Sequence, residues 1–216
     1  LPAIDLSEIE GDVKYVDGSG YDGEAEITGN DNDNILIASD GGSTLNGAGG
    51  NNSLKGGAGA DEFISESGNN TISNFEFGTG ETADTLNTGD QAISKAKVYG
   101  DDLVLTYDEG TAKVENGASQ TMQFKNEFTD GVINAQFDND SISVNENSKF
   151  YWAGGKNATV SLNDYTGESP AVIDLSNADF NDADNLSFYG DIKYLDASGF
   201  DGTAQLTGNN KNNIIT

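Results

Sequence analysis

The chain has no cysteine and no histidine. Without cysteine there is no disulfide framework, no zinc–thiolate centre and no cysteine nucleophile. Without histidine neither a Ser-His-Asp triad nor the usual zinc sites can be assembled. Positive charge is scarce: 10 Lys and Arg stand against 37 Asp and Glu, a formal net charge of −27. Such a surface repels phosphate backbones and anionic lipid, which sets nucleic acid and direct membrane binding aside as partners. No apolar run is long enough for a transmembrane helix. Two prolines against 28 glycines favour many tight turns with positive φ over stiff loops. With 35% hydrophobic residues in 216, the core must be thin, in one elongated domain or two small ones. Carboxylate pairs for glycoside hydrolysis remain available, but among 37 acids close pairs arise by chance and no pattern singles one out. The segment is not expected to be an enzyme.

What is present is a rhythm. Ile27, Leu36, Leu45, Leu54, Phe63 and Ile72 fall at a constant nine-residue spacing, with Gly, Asn, Asp and Ser between them. Nine is too short for a βαβ unit, and being odd it does not suit simple strand alternation. It suits a short strand and a tight turn, repeated, with one large apolar residue per unit pointing inward.

The clearest unit, Gly56-Gly57-Ala58-Gly59-Ala60-Asp61-Glu62-Phe63-Ile64, fits the pattern G-G-x-G-x-D-x-U-x at every specified position. The stretch resembles the RTX, or haemolysin-type calcium-binding, repeat family. That resemblance implies a right-handed parallel β-roll in which two units make one turn, the Asp and turn carbonyls hold calcium, and U lies in the core. The other units depart from the pattern: Asn34, Ser43, Asn52 and Asn70 stand where Asp61 stands, and Asn32 replaces a glycine kept as Gly41, Gly50 and Gly68. Calcium wants six to eight oxygens with several carboxylates among them, and Asn offers only a neutral carbonyl. Two outcomes are open. Calcium binds, with Asp61, Asp40, Asp31 and Asp33 as carboxylates and Asn52 and Asn70 as helpers; or the Asn side chains hydrogen-bond one another up the stack without metal.

A second, longer repetition frames the chain. Residues 11–37 recur as 190–216 without a gap, so that Tyr15, Val16 and Asp17 correspond to Tyr194, Leu195 and Asp196 at an offset of 179. Upstream, Ile4-Asp5-Leu6-Ser7 resembles Ile173-Asp174-Leu175-Ser176 at an offset ten residues smaller, the extra residues falling in a polar loop around Asn181–Asn185. The chain therefore reads as one long repeat plus the opening of the next, a piece of a longer polypeptide.

Between the copies the nonapeptide rhythm stops. Runs such as Leu103–Tyr107 and Met122–Phe124, separated by Gly100-Asp101-Asp102, Asp108-Glu109-Gly110 and Glu115-Asn116-Gly117, predict an antiparallel meander capping the roll. The expected organisation is all-β: solenoid rungs and roll over 1–75, meander over 76–130, and solenoid rungs over 131–216, with Val132, Ile142, Val144, Phe150, Trp152, Val160 and Leu162 as inward candidates. Trp152, between Tyr151 and Ala153, reads either as core or as a platform for a sugar ring. The function expected is an extracellular structural or adhesive repeat of a large secreted or cell-surface protein, stabilised by calcium, whose partners are further copies of itself and possible surface glycans. The alternatives are a calcium-dependent folding and secretion module of an RTX enzyme or toxin, and a carbohydrate-binding module.

Overall fold

The computed structural model describes residues 1–129, 131–144, 148–154, 158–161, 171–174, 186–190, 192–198, 204–208 and 212–216. The first strands are β1 (Ala3–Asp5), β2 (Tyr15–Asp17), β3 (Ala25–Thr28), β4 (Ile35–Ile37), β5 (Ser43–Asn46), β6 (Ser53–Lys55), β7 (Glu62–Ile64), β8 (Gly68–Ser73) and β9 (Thr85–Asn87). They alternate between two facing parallel sheets, odd-numbered strands in one and even-numbered in the other. The nine-residue spacing is the reason. Each unit supplies one strand, and two supply a full turn, so residues 18 apart pair: Ile27 with Leu45, Leu45 with Phe63, Leu36 with Leu54 and Leu54 with Ile72. All six periodic residues are at most 1% exposed. Burial of one such side chain stabilises by about 1.5–3 kcal/mol, and here it is nearly the only apolar contribution each rung makes.

Glycine is required where turns stack. Gly42 has φ +95°, and a Cβ placed on it would lie 2.7 Å from the Ala60 carbonyl oxygen of the turn below. A Cβ on Gly57 would collide with the Ser39 carbonyl. Turns one strand spacing apart leave no room for a methyl group in this column.

After Ser73 the even sheet receives a meander of β10 (Lys95–Tyr99), β11 (Asp102–Tyr107) and β12 (Gly110–Val114), β12 lying parallel to β8 with Val114 opposite Ile72. The odd sheet continues through β13 (Thr121–Lys125), β14 (Ile133–Asp138) and β15 (Ser141–Val144), β13 parallel to β9 and the next two pairings antiparallel. The meander thus joins the sheets in line, where the sequence suggested a cap laid against the roll. It ends the even sheet at β10 but not the odd one, which runs on. The outer edge of β10 is covered by the β14–β15 turn: Asn139 Oδ1 accepts from Val98 N–H (3.1 Å), and Asp140 N–H donates to the Ala96 carbonyl (2.9 Å). This removes an open edge that could pair with another chain.

The strands β16 (Lys149–Trp152), β17 (Ala158–Ser161), β18 (Ala171–Asp174), β19 (Leu186–Gly190), β20 (Ile192–Asp196), β21 (Ala204–Thr207) and β22 (Ile214–Ile215) return to parallel pairing. β17, β20 and β22 extend the odd sheet to 11 strands, and β16, β19, β18 and β21 form a third sheet. Ile93, just before β10, bridges Trp152 in β16, so the third sheet takes up the side of the solenoid on which the even sheet ended.

One expectation changes here, and one open reading is decided. Val132 is 47% exposed, because β14 begins one residue later and points Ile133, Ala135 and Phe137 inward; a one-residue shift moves every side chain to the other face. Trp152 is 1% exposed and Phe150 is fully buried, with the Phe150 ring 5.9 Å from Phe124 and 6.0 Å from Phe137. Trp152 is core and offers no ring to a sugar. Leu162, Gly167, Asn181–Asn185 and Gly199–Gly202 lie outside the described residues.

Candidate calcium-binding turns

The winding puts the turns of the roll on two opposite edges. Turns 29–34, 47–52 and 65–67, the last running into the start of β8, lead from the odd sheet to the even one; turns 38–42, 56–61 and 74–84 lead back. The six candidate ligands divide accordingly, with Asp31, Asp33, Asn52 and Asn70 on the first edge and Asp40 and Asp61 on the second.

The first edge is a ladder. Asn52 Oδ1 accepts from Asn34 N–H (2.8 Å), and Asn70 Oδ1 accepts from both Asn52 N–H (3.0 Å) and Asn52 Nδ2 (2.8 Å). The remaining amide hydrogens are placed too: Asn52 Nδ2 donates to the Gly49 carbonyl (3.0 Å), and Asn70 Nδ2 to Ser65 Oγ and the Ser67 carbonyl (both 2.8 Å). The three Asn are at most 3% exposed, so each satisfied group avoids a large desolvation cost. An exposed ladder runs beside it. Asp33 Oδ1 accepts from Asn51 N–H (2.7 Å), and Asn51 Oδ1 accepts from Asn69 N–H (3.0 Å). Asp31 is exposed and lines a shallow hollow of about 380 Å³ with Asn30, Asn32 and Ala48.

The second edge carries charge where the first carries amides. Asp61 is 2% exposed; its Oδ2 accepts from Gly57 N–H (2.7 Å), while Oδ1 is buried without a hydrogen-bond partner. The Ser43 N–H lies near enough to favour the ionised carboxylate without closing a bond to Oδ1. Burial dominates and pushes the Asp61 pKa up to about 6. Directly along the column sits Asp84, 1% exposed, whose Oδ1 accepts from Asp61 N–H (2.7 Å) and Oδ2 from Glu76 N–H (2.8 Å). Burial, with smaller contributions from the charges of Asp61 and Glu76, raises its pKa to about 7. Asp61 opens into a groove of about 530 Å³ lined also by Gly42, Ser43, Ala60, Glu62 and Glu81. Asp40 is exposed on the same edge, in a separate hollow of about 270 Å³ with Lys55 and Asn74.

Asp84 was not singled out in the sequence because the turn before it is five residues too long for the nonapeptide count. Its signal is the surviving half-motif: Asp84-Thr85-Leu86 repeats the spacing of Asp61-Glu62-Phe63, and Leu86 pairs with Phe63.

A strand–turn unit of nine residues, paired at 18, with glycine forced at the stacked turns and a buried Asp at the fully formed motif, decides the matter. Residues 27–72 are RTX calcium-binding nonapeptide repeats. That family's model, which describes four copies of the nonapeptide, matches over 27–61 and again over 37–72. No curated protein and no solved structure matches the chain. The RTX family binds calcium, and the donor chemistry of the second edge fits such an ion: a buried carboxylate with one oxygen unpaired, beside turn carbonyls. The Asn oxygens of the first edge are already engaged by N–H groups. Among the described residues no three acidic side chains converge as a ready-made cage, so turn carbonyls would supply most of the oxygens in the RTX segment.

Proposed function

We infer that the chain, with RTX repeats over 27–72 set in a β-solenoid, is a calcium-binding repeat module of a secreted protein. We propose that it serves as an extracellular structural unit of a tandem array, a stiff spacer in a surface stalk, layer or filament, with Asp61 holding calcium and Asp40 the nearest further carboxylate on that edge. Further copies of the same repeat are its partners.

One observation supports this reading above the others: the second copy re-forms the pairings of the first. Tyr15 pairs with Ile35 and Val16 with Leu36 in β2–β4; Tyr194 pairs with Ile214 and Leu195 with Ile215 in β20–β22, each 179 residues on. Gly18 N–H donates to the Ile37 carbonyl (2.9 Å), and Ala197 N–H to the Thr216 carbonyl (2.8 Å) at the same offset. Ile4 opposite Ile27 in β1–β3 has its counterpart in Ile173 opposite Leu206 in β18–β21, although ten more residues intervene between β18 and β20. A sequence that restores its own rung register is built to continue the stack. The net charge of −27 favours solubility and repels anionic surfaces, and calcium would offset part of that self-repulsion.

The test is small-angle scattering of a protein in which residues 38–216 follow Thr216 a second time. A rod of nearly doubled length is expected in calcium; two freely jointed particles would rule out the array. A catalytic or toxin domain adjoining the repeat, without further copies, would favour the reading as a folding and secretion module.

A further inference from the structure

The two partial copies within this chain do not occupy the same sheets. In the first, β1 and β3 belong to the odd sheet and β2 and β4 to the even sheet. In the second, the equivalents of β2 and β4, which are β20 and β22, belong to the odd sheet. The equivalents of β1 and β3, which are β18 and β21, belong to the third sheet, on the side where the even sheet ended. The sheet roles have exchanged within one repeat. The cause lies in the count of crossings: from β1 to β18 the chain passes between the two sides an odd number of times, β10 to β12 and β13 to β15 each counting as one visit, so the second copy starts on the side opposite the first.

We propose that successive copies in an array, a reading that rests on the tandem function above, are related by about half a turn around the solenoid axis, so that each copy's odd sheet becomes the next copy's even sheet. The junction follows from the strands already joined here. β17 offers its outer edge to β20, with Thr159 opposite Tyr194 and Val160 opposite Leu195. Residues 15–17 repeat 194–196, so the free outer edge of β2 takes the preceding copy's counterpart of β17, its Val160 equivalent opposite Val16. Among the described residues β2 is the last strand of its sheet, with no strand on that edge. Its occupant is a second copy, because among the described residues the strand that pairs on this edge of the repeated segment is β17.

The consequence is functional. The acidic turn edge bearing Asp61 and the Asn ladder exchange sides from one copy to the next, and so do the outer faces of the two sheets. An array presents each surface alternately on opposite sides, one copy apart along the axis. A lateral partner or a calcium-bridged neighbour would therefore be engaged from both sides of the rod, as a sheet or lattice needs and a one-sided ribbon does not.

The absence of cysteine makes the test clean. In the two-copy protein, Ser53→Cys in both copies places a thiol on the exposed outer face of β6 in each, to be labelled with gold and imaged by cryo-electron microscopy. Labels on opposite sides of one straight rod are expected. Labels on the same side of a straight rod would overturn the half-turn while leaving the array intact, and labels on two jointed particles would overturn the array itself. Lys55→Cys, exposed on the same face, repeats the measurement should the first variant fold poorly.

Discussion

Replacing Asp61 by Asn separates what the carboxylate costs from what it binds. In the calcium-free protein Asp61 carries a buried charge whose Oδ1 has no hydrogen-bond partner, and its pKa is raised from 3.8 to about 6. At pH 7.5 the ionised group therefore destabilises the fold by about 3 kcal/mol, at about 1.36 kcal/mol for each pKa unit. Asn removes that charge while keeping nearly the shape of Asp, and Asn34, Asn52 and Asn70 hold the same motif position on the opposite edge. One oxygen still accepts from Gly57 N–H, as a neutral bond weaker by about 1 kcal/mol. The net expectation in EGTA is stabilisation by about 1–3 kcal/mol. In 10 mM calcium the order reverses in part: a site with Kd near 10⁻⁴–10⁻³ M adds about 1.4–2.7 kcal/mol to the native protein and nothing to the variant. Urea unfolding followed by circular dichroism at pH 7.5, at matched ionic strength, reads both numbers. The reasoning fails if Asp61→Asn loses more than 1 kcal/mol in EGTA, or if it keeps the full calcium increment.

Further outcomes are expected on the same footing. Leu54→Asp should unfold the roll, because it removes a fully buried residue from a single-file core and leaves a charge there, whereas Ser53→Asp, one residue away and exposed, should shift the urea midpoint little. Asn52→Ala withdraws the acceptor of Asn34 N–H and the donor to Gly49, and should cost about 1–3 kcal/mol with or without calcium, which thermal melts in both conditions would show. In EGTA, stability should fall as pH rises from about 4 to about 7: the folded pKa values of Asp61 and Asp84, about 6 and about 7, lie above 3.8, so the folded state holds more protons through that window. A melting temperature flat or rising across it would contradict the burial of these carboxylates. Magnesium should replace calcium poorly in restoring stability at pH 7.5, since it requires strict octahedral geometry.

The periodic residues carried the fold of the roll in the sequence itself. A single large apolar residue every nine positions admits one arrangement in which all six are buried, and stacking at 18 follows from pairing alternate units. The gapless similarity of 190–216 to 11–37 likewise announced that the second copy would pair as the first does. The site was legible in part: Asp61 stood out because its motif is complete, and the Asn positions because they replace it.

Tertiary structure alone decided the rest. The division of the candidate ligands between two edges depends on which turn leads to which sheet, and alternate nonapeptides are indistinguishable in that respect from their sequence. Asp84 reaches the Asp61 column across a longer turn, a distance that counting residues hides. Val132 reversed its expected exposure because strand ends, and with them the phase of alternation, are set by which neighbour the strand pairs with. The exchange of sheets between the two partial copies arises the same way: it depends on whether the chain crosses between the sides an odd or an even number of times, and only the assembled ladder records that.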